Sequence, residues 1–373
     1  MTQIVLHIGG EKTGSTALQT ALMNNAPRLY RQAGLLYPQR SLLTSGHGHF
    51  PLAAAFLDLP QRNFILPAQY HSPDVMRWAL ETVIAKRKPR VVVLSAEHFS
   101  SRFGAEQIAW LAKFLSPWPV KIVFYVRPQE ELAVSAFSSG LMSGLKEWFH
   151  VDGAPSGARY YDLCTIADDW AAAFGAGNLR VRSYAEAAEH GLVEDFLAEA
   201  GVSDVALEPV GRLNASLSLM EAQLFHAVNQ QLPSWEEAIA QNDTRPYFAA
   251  ERYRRRMRDI TRTIPAFAGS PPATSIIGAR ERAIIRGRFA DSNRRLAERY
   301  GIRFGEPAVE GTIASGAKPS AIDPALIELV IAQLRIQEGQ IDSVNWLYRR
   351  TPRAWARWLV NLPKRKLSEW TSV

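Results

Sequence analysis

The sequence predicts an α/β protein, a parallel β-sheet flanked by helices, followed by a mainly helical C-terminal half. Three observations carry this reading. Apolar, β-branched runs stand at residues 4–8, 91–95 and 120–126; helical patterns lie between them; and strand signals fade beyond Leu217. Strands alternating with helices are the pattern that builds parallel sheets. The composition permits such a core: 373 residues, 47% hydrophobic and 21% charged, with a single cysteine, Cys164. These values exclude a disordered chain, a collagen-like chain and a small disulfide scaffold.

Each element follows in order. Residues 4–8 form a short strand, residues 9–14 a Gly-rich turn, and residues 15–23 a helix with Leu18 and Leu22 on one face. Residues 34–38 suit a second short strand. Ser72 is an N-cap and Pro73 a first helical residue, so a helix runs to Arg87. Residues 91–95 and 120–126 read as strands buried on both faces. The helix between them, 105–115, sets Trp110 at helical spacing with Leu111 and Phe114, which predicts core packing for Trp110. Pro128 can open a helix toward Gly140; a helix at 166–174 and a last strand at 178–184 follow. Helical patterns then cover 217–229, 248–263, 279–300 and 324–341, with loops at 266–275 and 305–320. The expected organisation is a domain over 1–310, with an α/β core to about 200 and a helical part over 201–310. A linker and helix occupy 311–342, and a tail 343–373.

In parallel sheets ligands sit beyond the carboxyl ends of the strands. Residues 9–16, 95–99 and 127 onward should therefore converge on one site. Strand, then Gly9-Gly10-Glu11-Lys12-Thr13-Gly14-Ser15-Thr16, then helix, is the arrangement in which backbone N–H groups wrap a phosphate. The Walker pattern wants lysine where Ser15 stands, and the lysine sits instead at position 12. A nucleotide triphosphatase or P-loop kinase is thus disfavoured.

The segment Lys12-Thr13-Gly14-Ser15-Thr16-Ala17-Leu18-Gln19 resembles the 5′-phosphosulfate loop of sulfotransferases that use 3′-phosphoadenosine 5′-phosphosulfate (PAPS). Val123-Phe124-Tyr125-Val126-Arg127-Pro128, followed by Ser135 and Gly144, looks like the same family's 3′-phosphate motif. Asn214-Ala215-Ser216 and Ser292-Asn293 resemble bacterial members more weakly. The resemblance implies a P-loop-type sheet, PAPS as donor, its desulfated product (PAP) and no required metal. It also implies a nucleotide-binding set of Glu11, Lys12, Thr13, Gly14, Ser15, Thr16, Arg127 and Ser135. In that reading Lys12 donates to the bridging oxygen and Arg127 offers a planar fork to the 3′-phosphate. The acceptor implied is a saccharide hydroxyl or amine, with no nucleic-acid partner.

Three side chains compete as general base. Glu97 arrives at the end of a central strand, His98 follows it, and His49 lies in Ser45-Gly46-His47-Gly48-His49, a loop expected to be flexible and able to close over the site. The alternative for Glu97 is to order Lys12 or Arg127. His7 reads as a hydrogen-bonded core histidine, and the loop over 146–161 as part of an acceptor cleft. No tryptophan can be assigned to adenine.

The net charge of +7 belongs to the tail. Arg349, Arg350, Arg353, Arg357, Lys364, Arg365 and Lys366 lie between 343 and 368 with no acidic residue, beside Trp355, Trp358, Leu359 and Leu362 at helical spacing. That composition suits a peripheral membrane or acidic-polymer contact, or packing on the body or a second copy. No signal peptide or long apolar run is visible, so a cytoplasmic location is expected. The rival to an enzyme is a non-catalytic anion- or membrane-binding protein on the same fold.

Overall fold

The computed structural model describes residues 1–58, 72–203, 205–209, 217–241, 243 and 245–305, with a few positions between 323 and 330. The expected tail, most of the 324–341 helix, the 305–320 loop beyond its first residue and Asn214-Ala215-Ser216 lie outside the described residues.

Among the described residues five strands make one sheet: β1 (Gln3–His7), β2 (Leu35–Leu36), β3 (Val91–Ser95), β4 (Val120–Val126) and β5 (Leu179–Ser183), in the order β2-β3-β1-β4-β5. Every pairing is parallel, with His7 beside Ser95 on one side and beside Val123 on the other. Side-chain alternation divides the core into two layers. Ile4, Leu6, Val92, Leu94, Ile122 and Phe124 pack on one face with Met76, Leu80, Ile108, Leu111 and Trp170. Val5, Val91, Val93, Val123 and Tyr125 pack on the other with Leu18, Leu22, Leu29 and Phe196. A sheet covered on both faces needs apolar residues where it is buried, which is why β3 from Val91 to Leu94 and β4 from Ile122 to Val126 read as apolar runs, Lys121 lying at the half-buried start of β4.

The helices supply those covers. α1 (Ser15–Asn24) and α2 (Ala26–Ala33) precede β2; α3 (Phe50–Ala54) and α4 (Pro73–Arg87) precede β3. Ser72 caps α4 as expected, accepting from the Val75 N–H. α5 (His98–Arg102) and α6 (Ala105–Leu115) lead to β4; α7 (Gln129–Met142) and α8 (Leu163–Phe174) lead to β5; α9 (Tyr184–His190) and α10 (Leu192–Glu199) follow it. The helical remainder is α11 (Leu219–Asn229), α12 (Trp235–Ala240), α13 (Arg245–Thr261), α14 (Pro265–Ala268), α15 (Ala279–Arg288) and α16 (Ala290–Tyr300).

The chain divides into two compact units. The first holds the described residues of Met1–Leu141, Glu147–Ala222 and Pro271–Lys318; the second those of Met142–Lys146, Gln223–Ser270 and Pro319–Val373. Inside the second, Arg254 is fully buried, donating from Nε to Asn229 Oδ1 at 2.8 Å and from Nη2 to the Pro233 carbonyl at 2.9 Å. Gly144, at φ +97°, makes room for it: a Cβ there would stand 2.6 Å from Arg254 Nη2. That packing need explains a glycine the sequence reading attached to the nucleotide motif.

Three expectations change. Trp110 is 49% exposed, whereas Ile108, Leu111 and Leu115 are buried. The buried stripe of α6 runs through those three, at i, i+3 and i+7, and Trp110 falls beside it, turned to solvent. The expected single helix over 279–300 is two, broken at Phe289, whose φ of −113° leaves the helical region. The expected loop at 266–275 carries the short helix α14 at its start and a 3₁₀ turn, Ala273–Ile276, at its end.

Candidate functional site

β1 is central, and its neighbours β3 and β4 come from opposite sides, so the loop after β1 lies at the sheet's switch point. That loop folds by left-handed residues: Gly9 at φ 70°, Lys12 at 66° and Gly14 at 75°. Gly9 and Gly14 tolerate this freely, whereas Lys12 must be held there. The loop closes on the Gly10 carbonyl, which accepts from Thr13 N at 3.3 Å, Thr13 Oγ1 at 2.6 Å and Ser15 Oγ at 3.3 Å. Thr13 and Ser15 are accordingly buried and Thr16 is exposed. α1 then begins with no side-chain cap on its first N–H groups and no acidic residue in its first turn. An uncapped helix N-terminus after a turn of alternating handedness is a place for an anion.

The two neighbouring strand ends press on this loop. A Cβ on Gly9 would stand 2.8 Å from Glu97 Cα, and one on Gly10 would stand 2.4 Å from the Tyr125 carbonyl oxygen. The backbone can approach so closely only because both residues are glycine. Arg127, in the turn after β4, donates from Nη1 to the Lys12 carbonyl at 2.8 Å and from Nη2 to Glu131 at 2.7 Å. Its guanidinium also lies 5.6 Å from the Tyr184 ring centroid. Ser135 is half-buried on the same helix as Glu131, one turn further on.

Glu97 is half-buried at the start of α5. Burial pushes its carboxyl up from 4.5 to about 7; the Glu11 carboxylate adds to the rise and the Lys12 ammonium opposes it. Glu11 accepts from Tyr160 Oη at 3.0 Å. His98 is pushed down to about 4 by burial, with Arg102 lowering it and Glu11 raising it. Its ring meets Phe50 edge-on. Loop, Ser100, Ser101, Tyr160 and the end of β4 enclose a cavity of about 20 Å³. That space suits one water molecule rather than a nucleotide.

The structure places His49 in a setting different from the expected flexible loop. The expected flexible loop is a closed turn, with Ser45 and Gly48 exchanging backbone hydrogen bonds of 2.9 and 3.2 Å. His49 is fully buried, its Nδ1 accepts from the Ser95 N–H at 3.0 Å, and burial pushes it down to about 4. The ring is closed off from solvent in this structure. Glu97 and His98 are half-buried. His7 is a buried core histidine as expected, its Nδ1 2.8 Å from Ser95 Oγ, which also accepts from Gln19 Nε2 at 3.1 Å.

No family model matches the sequence. No curated protein matches it either. Among solved structures, the chain is similar to a sulfotransferase from Alicyclobacillus acidocaldarius, at 15% identity and a TM-score of 0.36, over 64% of this chain and 95% of that one. The α/β assignment stands on the chain's own five-stranded parallel sheet.

Sequence reasoning placed Lys12, Glu97 and Arg127 at adjacent strand ends, and the structure brings them together. It did not single out Glu131, Tyr184 or Tyr160, the last lying within the 146–161 loop it assigned to an acceptor cleft. The four-residue spacing from Arg127 to Glu131 was a visible signal for an ion pair. Nothing local announced Tyr160, whose contact to Glu11 spans 149 positions. Ser292 and Asn293 turn out to stitch helices together. Ser292 Oγ donates to Asp162 at 2.6 Å, and Asn293 exchanges two amide hydrogen bonds with the buried Gln129, at 2.8 and 3.1 Å. Among the described residues no helix is long and apolar enough to cross a membrane. Nor, among them, do three or more His, Cys, Asp or Glu side chains group as a metal site would require.

Proposed function

We propose that the protein transfers a sulfuryl group from PAPS to a hydroxyl or amine of an acceptor, a carbohydrate in the resemblance. The observation that carries this reading is the meeting of a phosphate-type loop bearing Lys12 with Glu97 on one side and Arg127 on the other. The residues suit the donor's phosphates, although the cavity between the loop, Tyr160 and the end of β4 is too small to hold the whole nucleotide. The loop's N–H groups and the open start of α1 suit its 5′-phosphate, and Arg127 with Ser135 suits the 3′-phosphate. Residues 1–310 form the catalytic domain in this reading, with 311–342 a linker and helix and 343–373 a basic tail for an anionic surface.

The chemistry asks little more. The acceptor oxygen forms its bond to sulfur as the bond from sulfur to the 5′-phosphate oxygen breaks. PAP leaves, and the acceptor proton passes to Glu97. Lys12 offsets charge on the departing phosphate, and positioning with electrostatics does most of the work. A carboxyl that titrates near 7 is matched to accepting a proton at neutral pH.

Two measurements test this. Calorimetry should show PAP bound in preference to ATP; preference for ATP would instead favour a P-loop kinase. Transfer of label from radioactive PAPS across a panel of saccharide, phenol and amine acceptors should identify the acceptor. Lys12→Ala should lower that transfer by about 10²–10³-fold. Undiminished transfer removes Lys12 from its role, and PAP binding with no transfer to any acceptor favours the non-catalytic binder.

A further inference from the structure

We propose that Arg127 is a positioning residue for Lys12, clamping the phosphate loop from the end of β4, in addition to any contact it makes with nucleotide. Lys12 holds φ 66°, a conformation that non-glycine residues avoid, and its carbonyl is the acceptor of the 2.8 Å bond from Arg127 Nη1. The other arm of the fork is fixed by Glu131 at 2.7 Å, and the guanidinium lies over Tyr184. The Arg127 side chain is 17% exposed. A planar fork held on three sides spans loop and helix at once, a task a single ammonium cannot do. The contact of Gly10 with the Tyr125 carbonyl shows that loop and strand end already touch, so the clamp acts across a short, close-packed junction. The consequence is that Arg127 prepares the 5′-phosphate end of the site, through the Lys12 carbonyl, as well as any 3′-phosphate it meets.

The inference rests on the nucleotide reading above, and its test separates the two. Binding of adenosine 3′,5′-bisphosphate and of 5′-AMP is measured by calorimetry for wild type, Arg127→Ala and Arg127→Lys. The clamp predicts that both variants lose affinity for 5′-AMP, which has no 3′-phosphate, by about tenfold, the scale of one charge-assisted hydrogen bond. Unchanged 5′-AMP affinity in Arg127→Ala, with loss confined to the bisphosphate, overturns the clamp and leaves the donor reading intact. Full recovery of 5′-AMP affinity in Arg127→Lys also overturns it, since charge alone then suffices. Binding of neither compound to wild type removes the donor reading itself. Amide hydrogen exchange of the nucleotide-free proteins gives an independent measure. Residues 9–16 should exchange faster in both variants while β3 and β4 stay protected, and equal protection of the loop refutes the clamp.

Discussion

Replacing Glu97 by glutamine should stabilise the fold and abolish its chemistry, with a pH dependence that can be worked out in advance. The carboxyl titrates at about 7 in the folded protein against an ordinary 4.5. Below pH 4.5 it is protonated in folded and unfolded chains alike and contributes nothing. Between pH 4.5 and 7 the unfolded chain releases the proton while the folded one retains it, so stability falls as pH rises. At about 1.36 kcal/mol per pH unit the full loss is about 3 kcal/mol, and about 1–2 kcal/mol after allowance for solvent reaching a half-buried group. Glutamine carries no such penalty. Denaturant unfolding of Glu97→Gln and wild type should agree near pH 4.5, and the variant should gain the stated margin by pH 8. A difference between the two that does not change with pH would refute the assignment of a buried, raised carboxyl at this position. Sulfate transfer by the wild type should rise through pH 7 as Glu97 ionises. The gain in stability is then the complement of the lost base, a trade familiar at active sites.

Two further outcomes are expected. Gly10→Ala places a Cβ 2.4 Å from the Tyr125 carbonyl and 3.2 Å from Thr13 Cγ2, so loop or strand end must shift. Thermal unfolding should show a loss of about 1–3 kcal/mol, with phosphate binding weakened; wild-type values for both would show that the loop does not sit against β4. Trp170→Ala, at a fully buried position stacked on Phe174, should cost about 3–5 kcal/mol, whereas Trp110→Ala should stay within about 0.5 kcal/mol. Equal effects in denaturant melts would contradict the burial assigned to the two residues.

What could be read from residues alone followed physical periodicity. Val91–Ser95 and Val120–Val126 were bounded correctly because a strand buried on both faces is dominated by apolar residues, with only Lys121 interrupting at the half-buried start of β4, and ends where a polar residue or proline follows. Three strand ends bearing Lys12, Glu97 and Arg127 were therefore assembled from topology alone. Short helices such as α2, α5 and α9 were not legible. Eight residues or fewer carry too few turns for a period, and such helices are held by packing rather than propensity. Trp110 misled because a helical stripe specifies a face and not its edges. His49 misled because glycines around it suggested mobility, whereas its hydrogen bond to the backbone of Ser95 comes from a strand 46 positions away. Glu131 and Tyr184 matter only once Arg127 has a direction, and a side chain's direction is a property of the folded site.

The central place of β1 also governs when the protein can form. Ile4 has no neighbour on one side until Val92 exists and none on the other until Val120 does. At about 5–20 residues per second, a ribosome takes roughly 5–25 seconds to make that stretch. Until β3 is made, the apolar segment Ile4, Val5 and Leu6 has no strand partner, and until β4 is made it has one on a single side. Pairings so distant in sequence close slowly, because loop entropy must be overcome before any contact rewards it. The nascent chain is thus exposed to aggregation early and becomes committed late, when the segment up to Arg127 has emerged. Chains truncated before β3 lack both pairings of β1, and chains truncated between β3 and β4 keep only the one with β3.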